Sequence, residues 1–176
     1  MTDKKMIGRY QILKHLAQGG MGDVFLAFDP ICSRRVALKK IREDLKDKPT
    51  IRTRFLKEAR IASQLTHPSI VPIYSIHEDE DSVYYTMPYV EGKTLKDILI
   101  EAVKAPSSES SIPNLTRVFL AVCEAMSFVH SKKILHRDLK PSNILVGQYG
   151  EVLILDWGIA NYLDEIEANN QALLEK

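Results

Sequence analysis

The sequence predicts an α+β fold in two lobes, and three observations carry that reading. Strand-like runs fill most of the first ninety residues, helical periodicity governs most of the remainder, and the change of character falls near Gly92. A β-rich half followed by a helix-rich half gives two domains, residues 1–92 and 93–176, and a cleft between them would suit a ligand.

The first lobe reads as five antiparallel strands and one helix. Residues 10–16 and 24–28 flank the stretch Gly19-Gly20-Met21-Gly22, and residues 35–41 give a third β-like run. A helix comes next, on which Ile51, Phe55, Ala59, Ala62 and Leu65 recur at three- and four-residue steps. Residues 70–77 and 83–90 make two more strands, joined by the acidic turn 78–81. In the second lobe Thr94, three residues before Asp97, opens a helix whose face carries Leu95, Ile98, Leu99, Ala102 and Val103. Residues 105–113 form a Ser- and Pro-rich loop. A long helix over 115–131 puts Leu115, Val118, Phe119, Val122, Met126 and Val129 on one side, with Phe119, Cys123 and Phe128 widening the apolar surface. A hairpin joins 144–146 to 152–155 around the turn 148–151.

Composition excludes more than it assigns. The 176 residues are 45% hydrophobic and 27% charged, with a net charge of +1, so no broad attraction to nucleic acid or membrane surfaces is expected. Cys32 and Cys123 are too few for a disulfide framework and lack metal-ligand spacing; buried free thiols in a reducing compartment are expected. The N-terminus has no apolar signal region and no apolar run reaches the length of a membrane span, which makes a cytoplasmic protein the default.

Four stretches carry chemistry. Glycines at 19, 20 and 22 between two strands let backbone N–H groups approach phosphate oxygens, although such a turn by itself is more often only a hairpin. Ala37 and Lys39 alternate onto one face of the third strand, and Glu58 on the next helix is the lysine's candidate partner. The segment His136-Arg-Asp-Leu-Lys-Pro-Ser-Asn143 gathers an acid, a cation and an amide in a loop. A carboxylate to accept a hydroxyl proton, a cation beside a transferred phosphoryl group and an oxygen ligand for Mg²⁺ are what phosphoryl transfer needs, and Asp138, Lys140 and Asn143 supply them. A buried apolar run ends in Asp156-Trp157-Gly158, where an acid is expensive unless a metal or hydrogen bonds engage it.

Taken in order from residue 17 to residue 158, these motifs resemble those of serine/threonine protein kinases: Gly-rich loop, lysine strand, helix glutamate, H-R-D-L-x-x-x-N and D-F-G. Leu139-Lys140-Pro141 is similar to the serine/threonine branch, and Gly-Gly-Met-Gly with His67-Pro68 resembles the bacterial eukaryotic-like kinases of the PknD type. The resemblance implies a protein-kinase-like fold, with ATP and Mg²⁺ as cofactors (Mn²⁺ the alternative ion) and proteins with Ser or Thr acceptors as partners. It implies that Ala17, Gly19, Gly20, Gly22, Val24, Ala37, Lys39, Met87, Pro88, Val90 and Leu145 contact the nucleotide. Lys39, held by Glu58, would meet the α- and β-phosphates, Asp138 would be the base, Lys140 would steady the γ-phosphate, and Asn143 and Asp156 would hold the metal.

Two positions depart from the family pattern: Ala17 stands for the first loop glycine, and Trp157 for the phenylalanine of D-F-G. The chain also stops eighteen residues after Gly158, before any A-P-E motif. The helix-rich half is therefore expected to be incomplete, and the chain to be weak or inactive on its own and prone to self-association through an exposed apolar face. A non-catalytic ATP-binding or regulatory role is the alternative, although Lys39, Asp138, Asn143 and Asp156 are all retained. A dinucleotide-binding reading of the glycines fails, because they lie between two strands rather than between a strand and a helix.

Overall fold

The structure is a computed structural model that describes residues 5–79 and 82–165; the tip of the acidic turn and the tail from residue 166 lie outside those. Its contacts divide it into two compact units, Met1–Ser63 with Pro72–Tyr89, and Gln64–Val71 with Val90–Lys176.

The first unit is a six-stranded antiparallel sheet in the order β1-β2-β3-β4-β6-β5. The strands are β1 (Met6–Ile7), β2 (Tyr10–Gln18), β3 (Gly22–Asp29), β4 (Arg34–Ile41), β5 (Ser75–Glu78) and β6 (Val83–Pro88), with helix α1 (Pro49–Ser63) between β4 and β5. The sixth strand, β1, is two residues long and turns back through Gly8 at φ +53°. Two residues are too few to show a period of two, which is why the sequence suggests only five strands.

Register assigns the two faces of the sheet. Val24 pairs with Lys39, Ala37 with Met87 and Lys39 with Tyr85, so all of these share one face. Residues one step away point to the other face, where Phe25, Ala27, Val36, Leu38 and Tyr84 form a core with Ile7 and Tyr10. On the Lys39 face α1 lays Phe55, Leu56 and Ala59 against Ile41, Val83 and Tyr85. Phe55 is fully buried, and truncating it to Ala would cost about 3–5 kcal/mol.

The strand expected over 70–77 is reduced to β5. Pro72 has no N–H to donate to a ladder, and Ile70 instead forms a single parallel bridge to Ile154 while Ser69 C=O accepts from the Ile154 N–H at 2.8 Å. That hydrogen bond helps place Gln64–Val71 in the second unit.

The second unit holds β7 (Gly92–Thr94), α2 (Leu95–Lys104), α3 (Ile112–Ser131), β8 (Ile134–Leu135), a 3₁₀ turn at Pro141–Asn143, β9 (Ile144–Gly147), β10 (Val152–Ile154) and β11 (Asn161–Tyr162). Its strands pair as β10-β9-β7 and β11-β8. Thr94 and Asp97 close a reciprocal capping box at the start of α2. α3 begins three residues before the expected start because Pro113 fits its first turn. Its buried stripe is Val118, Val122, Ala125 and Val129, whereas Phe119 is 66% exposed. At 20 residues α3 has the length and average composition of a membrane span, although it is not one unbroken apolar run. Arg117 and Glu124 interrupt it, and the buried stripe gives its apolar content a packing role. Both cysteines are exposed, contrary to expectation: Cys32 sits in the β3–β4 turn and Cys123 on the open face of α3.

Candidate active site

The residues singled out by the sequence fall into two clusters, one in each unit. The first is built on β4, β6 and α1. The Lys39 ammonium donates to Glu58 Oε1 at 2.5 Å, and the Tyr85 hydroxyl donates to the same oxygen at 2.7 Å. Glu58 is 2% exposed, and burying its charge is tolerable only with such partners. Its second oxygen, Oε2, is buried and has no hydrogen-bond partner among the described residues. Phe55 and Tyr85 pack with ring centroids 5.2 Å apart, walling the lysine with apolar surface.

The Gly-rich stretch is the β2–β3 hairpin, closed by Gly19 N–H donating to Gly22 C=O at 2.8 Å. The described glycines at positive φ are Gly8 and Gly150, so Gly19, Gly20 and Gly22 do not serve a left-handed backbone. Gly22 serves packing: a Cβ there would lie 2.8 Å from Lys40 O and 2.9 Å from the Phe55 ring. At Gly20 a Cβ would meet nothing within 4 Å, which leaves that backbone open to a ligand. Ala17 pairs with Val24 across the hairpin, and Ala37 is buried beside the half-buried Met87. Pro88 closes β6.

The second cluster is the loop from His136 to Asn143. Asp138 Oδ2 accepts from Lys140 Nζ at 2.6 Å and from Asn143 Nδ2 at 3.1 Å. Asn143 Nδ2 also donates to the Asp138 C=O at 2.9 Å, which fixes the amide with its oxygen as the remaining acceptor. The Asp138 N–H donates to His136 Nδ1 at 3.3 Å, and His136 Nε2 donates to Leu155 C=O at 3.2 Å. Lys140's hydrogen bond, helped by Asn143, holds the Asp138 carboxyl below the usual carboxylate range against the opposing effect of burial. The chain bends hard at both motifs: Arg137 has φ 68° and Asp156 φ 60°, conformations that non-glycine residues adopt at some cost.

Asp156 is not buried as the apolar run suggested; β10 ends two residues earlier and the side chain is exposed. Trp157 takes the buried place instead, with its ring 4.6 Å from that of His136 and its Nε1 without a hydrogen-bond partner among the described residues. The expected metal ligands therefore offer an amide oxygen and an exposed carboxylate. That all-oxygen donor set fits a hard divalent cation. Leu145 lies on β9 opposite Thr94 of β7, and Val90 packs toward Gly147, where an added Cβ would meet it at 3.1 Å.

The protein kinase domain family matches residues 10–174. The chain belongs to that family. Among its relatives, the serine/threonine-protein kinase PknD of Protochlamydia amoebophila is 55% identical over 163 residues, covering 89% of this chain and 17% of that protein. PknD of Chlamydia caviae is 51% identical over 158 residues, covering 86% and 17%, and PknD of Chlamydia trachomatis serovar D is 50% identical with the same coverage. The chain thus spans 17% of the length of these relatives. Kinase family membership carries with it the use of ATP and a divalent metal.

Two contributors carry no sequence signal of their own. Tyr85 alternates onto the Lys39 face, but nothing local marks its hydroxyl. His136 opens its motif without an evident task, and its two hydrogen bonds supply one.

Proposed function

We propose that this chain is the nucleotide-binding and catalytic part of a serine/threonine protein kinase, transferring the ATP γ-phosphoryl group to Ser or Thr hydroxyls of proteins. The observation that most supports this is the fixing of Asp138: Lys140 and Asn143 hold Oδ2, and His136 holds its backbone N–H. Oδ1 takes no hydrogen bond among the described residues and is the oxygen left to accept from an acceptor hydroxyl. A carboxyl kept below its usual range is ionised throughout the physiological pH range, so it orients the hydroxyl and takes its proton as the phosphoryl group transfers.

In this reading Gly19, Gly20 and Gly22 cover the phosphates, and Lys39 meets the α- and β-phosphates with Glu58 behind it. Val24, Ala37, Met87, Pro88, Val90 and Leu145 receive the adenine. Asn143 and Asp156 would hold Mg²⁺, or Mn²⁺ in its place, which neutralises charge on the β- and γ-phosphates when bound. Lys140, hydrogen-bonded to Asp138 at 2.6 Å, would steady the γ-phosphate.

The test pairs a phosphorylation assay with an ATP-binding assay on the same sample. In a version of the chain extended to complete the kinase domain, Asp138→Asn should lower turnover by about 10²–10⁴-fold, the range for a positioned general base, with ATP affinity nearly unchanged. Unchanged turnover would remove Asp138 from the mechanism and favour a non-catalytic nucleotide-binding role.

The proposal extends to self-association through the open face of α3. Phe119 and Leu120 are exposed there, and Phe119, Cys123 and Met126 line a groove of about 520 Å³ with Leu135 and Leu139. Light scattering should find association that Phe119→Asp weakens; a wild-type chain monomeric at every concentration would refute it.

A further inference from the structure

The buried lysine–glutamate pair has a third member. Tyr85 on β6 lies directly across from Lys39 on β4, so both side chains leave the sheet on the face covered by α1. The Tyr85 hydroxyl and the Lys39 ammonium converge on Glu58 Oε1, at 2.7 and 2.5 Å. The other buried members of that cluster, Ile41, Phe55, Leu56, Ala59 and Val83, are purely apolar. Phenylalanine at position 85 would fill the same space against Phe55, so packing alone gives no reason for a hydroxyl. A phenol 3% exposed needs an acceptor, and Glu58 provides it.

β6 is paired on both sides, by β4 and by β5, which makes Tyr85 a rigid anchor. Beyond the two bonds at Glu58, α1 meets the sheet through apolar contacts and, at the end of β5, through the more exposed pairs of Arg52 and Arg60 with Glu78 and the Arg52 hydrogen bond to Asp79 C=O. A hydrogen bond to a carboxylate is directional and about twice as strong as a neutral one.

We propose that Tyr85 is a positioning residue for nucleotide binding: its hydroxyl latches Glu58, and with it α1, to the sheet, so that Glu58 is already in place to hold Lys39 against the nucleotide phosphates. This rests on the reading of Lys39 as a phosphate-binding residue. Tyr85 itself touches no substrate atom. It acts through Glu58, and its contribution is confined to ligands that carry phosphates.

The experiment measures dissociation constants of Mg·ATP and of adenosine for the wild-type chain, Tyr85→Phe, Glu58→Gln and the double variant, with a thermal melt of each. Tyr85→Phe should weaken Mg·ATP by roughly five- to twentyfold, the partial expression of one hydrogen bond to a charged group, and adenosine by less than about twofold. In the Glu58→Gln background the same change should cost Mg·ATP less than about twofold, because the latch has lost its charged partner. Glu58→Asp, which keeps the charge but withdraws it from the phenol, should reproduce the phosphate-selective loss. The inference is overturned by equal losses for both ligands, by an undiminished effect in the Glu58→Gln background, by unchanged Mg·ATP affinity, or by a Tyr85→Phe chain that does not fold. The last would show that the hydroxyl serves stability alone. A wild-type chain that binds neither ligand would instead defeat the kinase reading, and this inference with it.

Discussion

His136 has both ring nitrogens committed, Nδ1 accepting from the Asp138 N–H and Nε2 donating to Leu155 C=O, and only the neutral Nε2–H tautomer satisfies both. Burial pushes its pKa below the usual 6.5, outweighing the hydrogen bond to Leu155 and the nearby carboxylates. As pH falls through about 6.5 the unfolded chain takes up a proton that the folded chain refuses. Stability from this residue is therefore complete above that pH and is lost as pH drops toward the folded value, at no more than about 1.4 kcal/mol per pH unit. Denaturation curves between about pH 7.5 and 5.5 should show the decline, and His136→Gln should flatten it. A parallel slope in the variant would assign the acid sensitivity elsewhere. The residues that do chemistry were legible in the sequence because their types and spacing are constrained together: Asp138, Lys140 and Asn143 sit within one loop. Tyr85 was not legible, since its hydrogen-bond partner lies 27 positions away and tyrosine is an ordinary strand residue.

The β2–β3 hairpin shows that glycines in one motif have different tasks. An alanine at 22 would press its Cβ on the Lys40 carbonyl and the Phe55 ring, while one at 20 would enter open space. Gly22→Ala should therefore lower stability by about 1–3 kcal/mol, with Gly20→Ala close to wild type in a thermal melt. Equal melts for the two would mean that the hairpin shifts freely away from β4 and α1. Elements with local signals were readable in advance. The Thr94–Asp97 box marks the start of α2 within four residues, and the apolar steps of α1 need no distant partner. β1 and the shortened β5 were not readable, because a two-residue strand has no period and a proline-interrupted run gives no sign of which half will pair. On α3 the expected apolar side does hold the buried Val118, Val122 and Val129, and Phe119 stands on the apolar surface expected to lie open. Periodicity locates an apolar side, but Phe119 and Val118 are neighbours on it and only packing decides which is covered.

Across the whole molecule, the chain passes from one unit to the other three times, after Ser63, after Val71 and after Tyr89. The strip Gln64–Val71 is joined to the rest of its unit by hydrogen bonds and contacts made far along the chain: Ser69 and Ile70 meet Ile154, His67 stacks on Phe128 at 5.5 Å, and Gln64 accepts from Tyr162 at 3.2 Å. A boundary placed near Gly92 from composition could not have found it, because eight residues between a helix and a strand carry no signal of where they will dock. The two units are therefore interleaved rather than strung in series, and no single cut separates them intact. A piece beginning at Val90 would lack the residues that cover Ile154 and Phe128, whereas one beginning at Gln64 would keep them but carry the β5–β6 segment torn from its sheet. Expressed separately, residues 90–176 should be less soluble than the same piece supplied in trans with a peptide spanning 64–71; equal behaviour would show that the strip is dispensable. For an evolving gene, the same threading means that either half can be exchanged with a relative's only if this short strip is exchanged along with the later one.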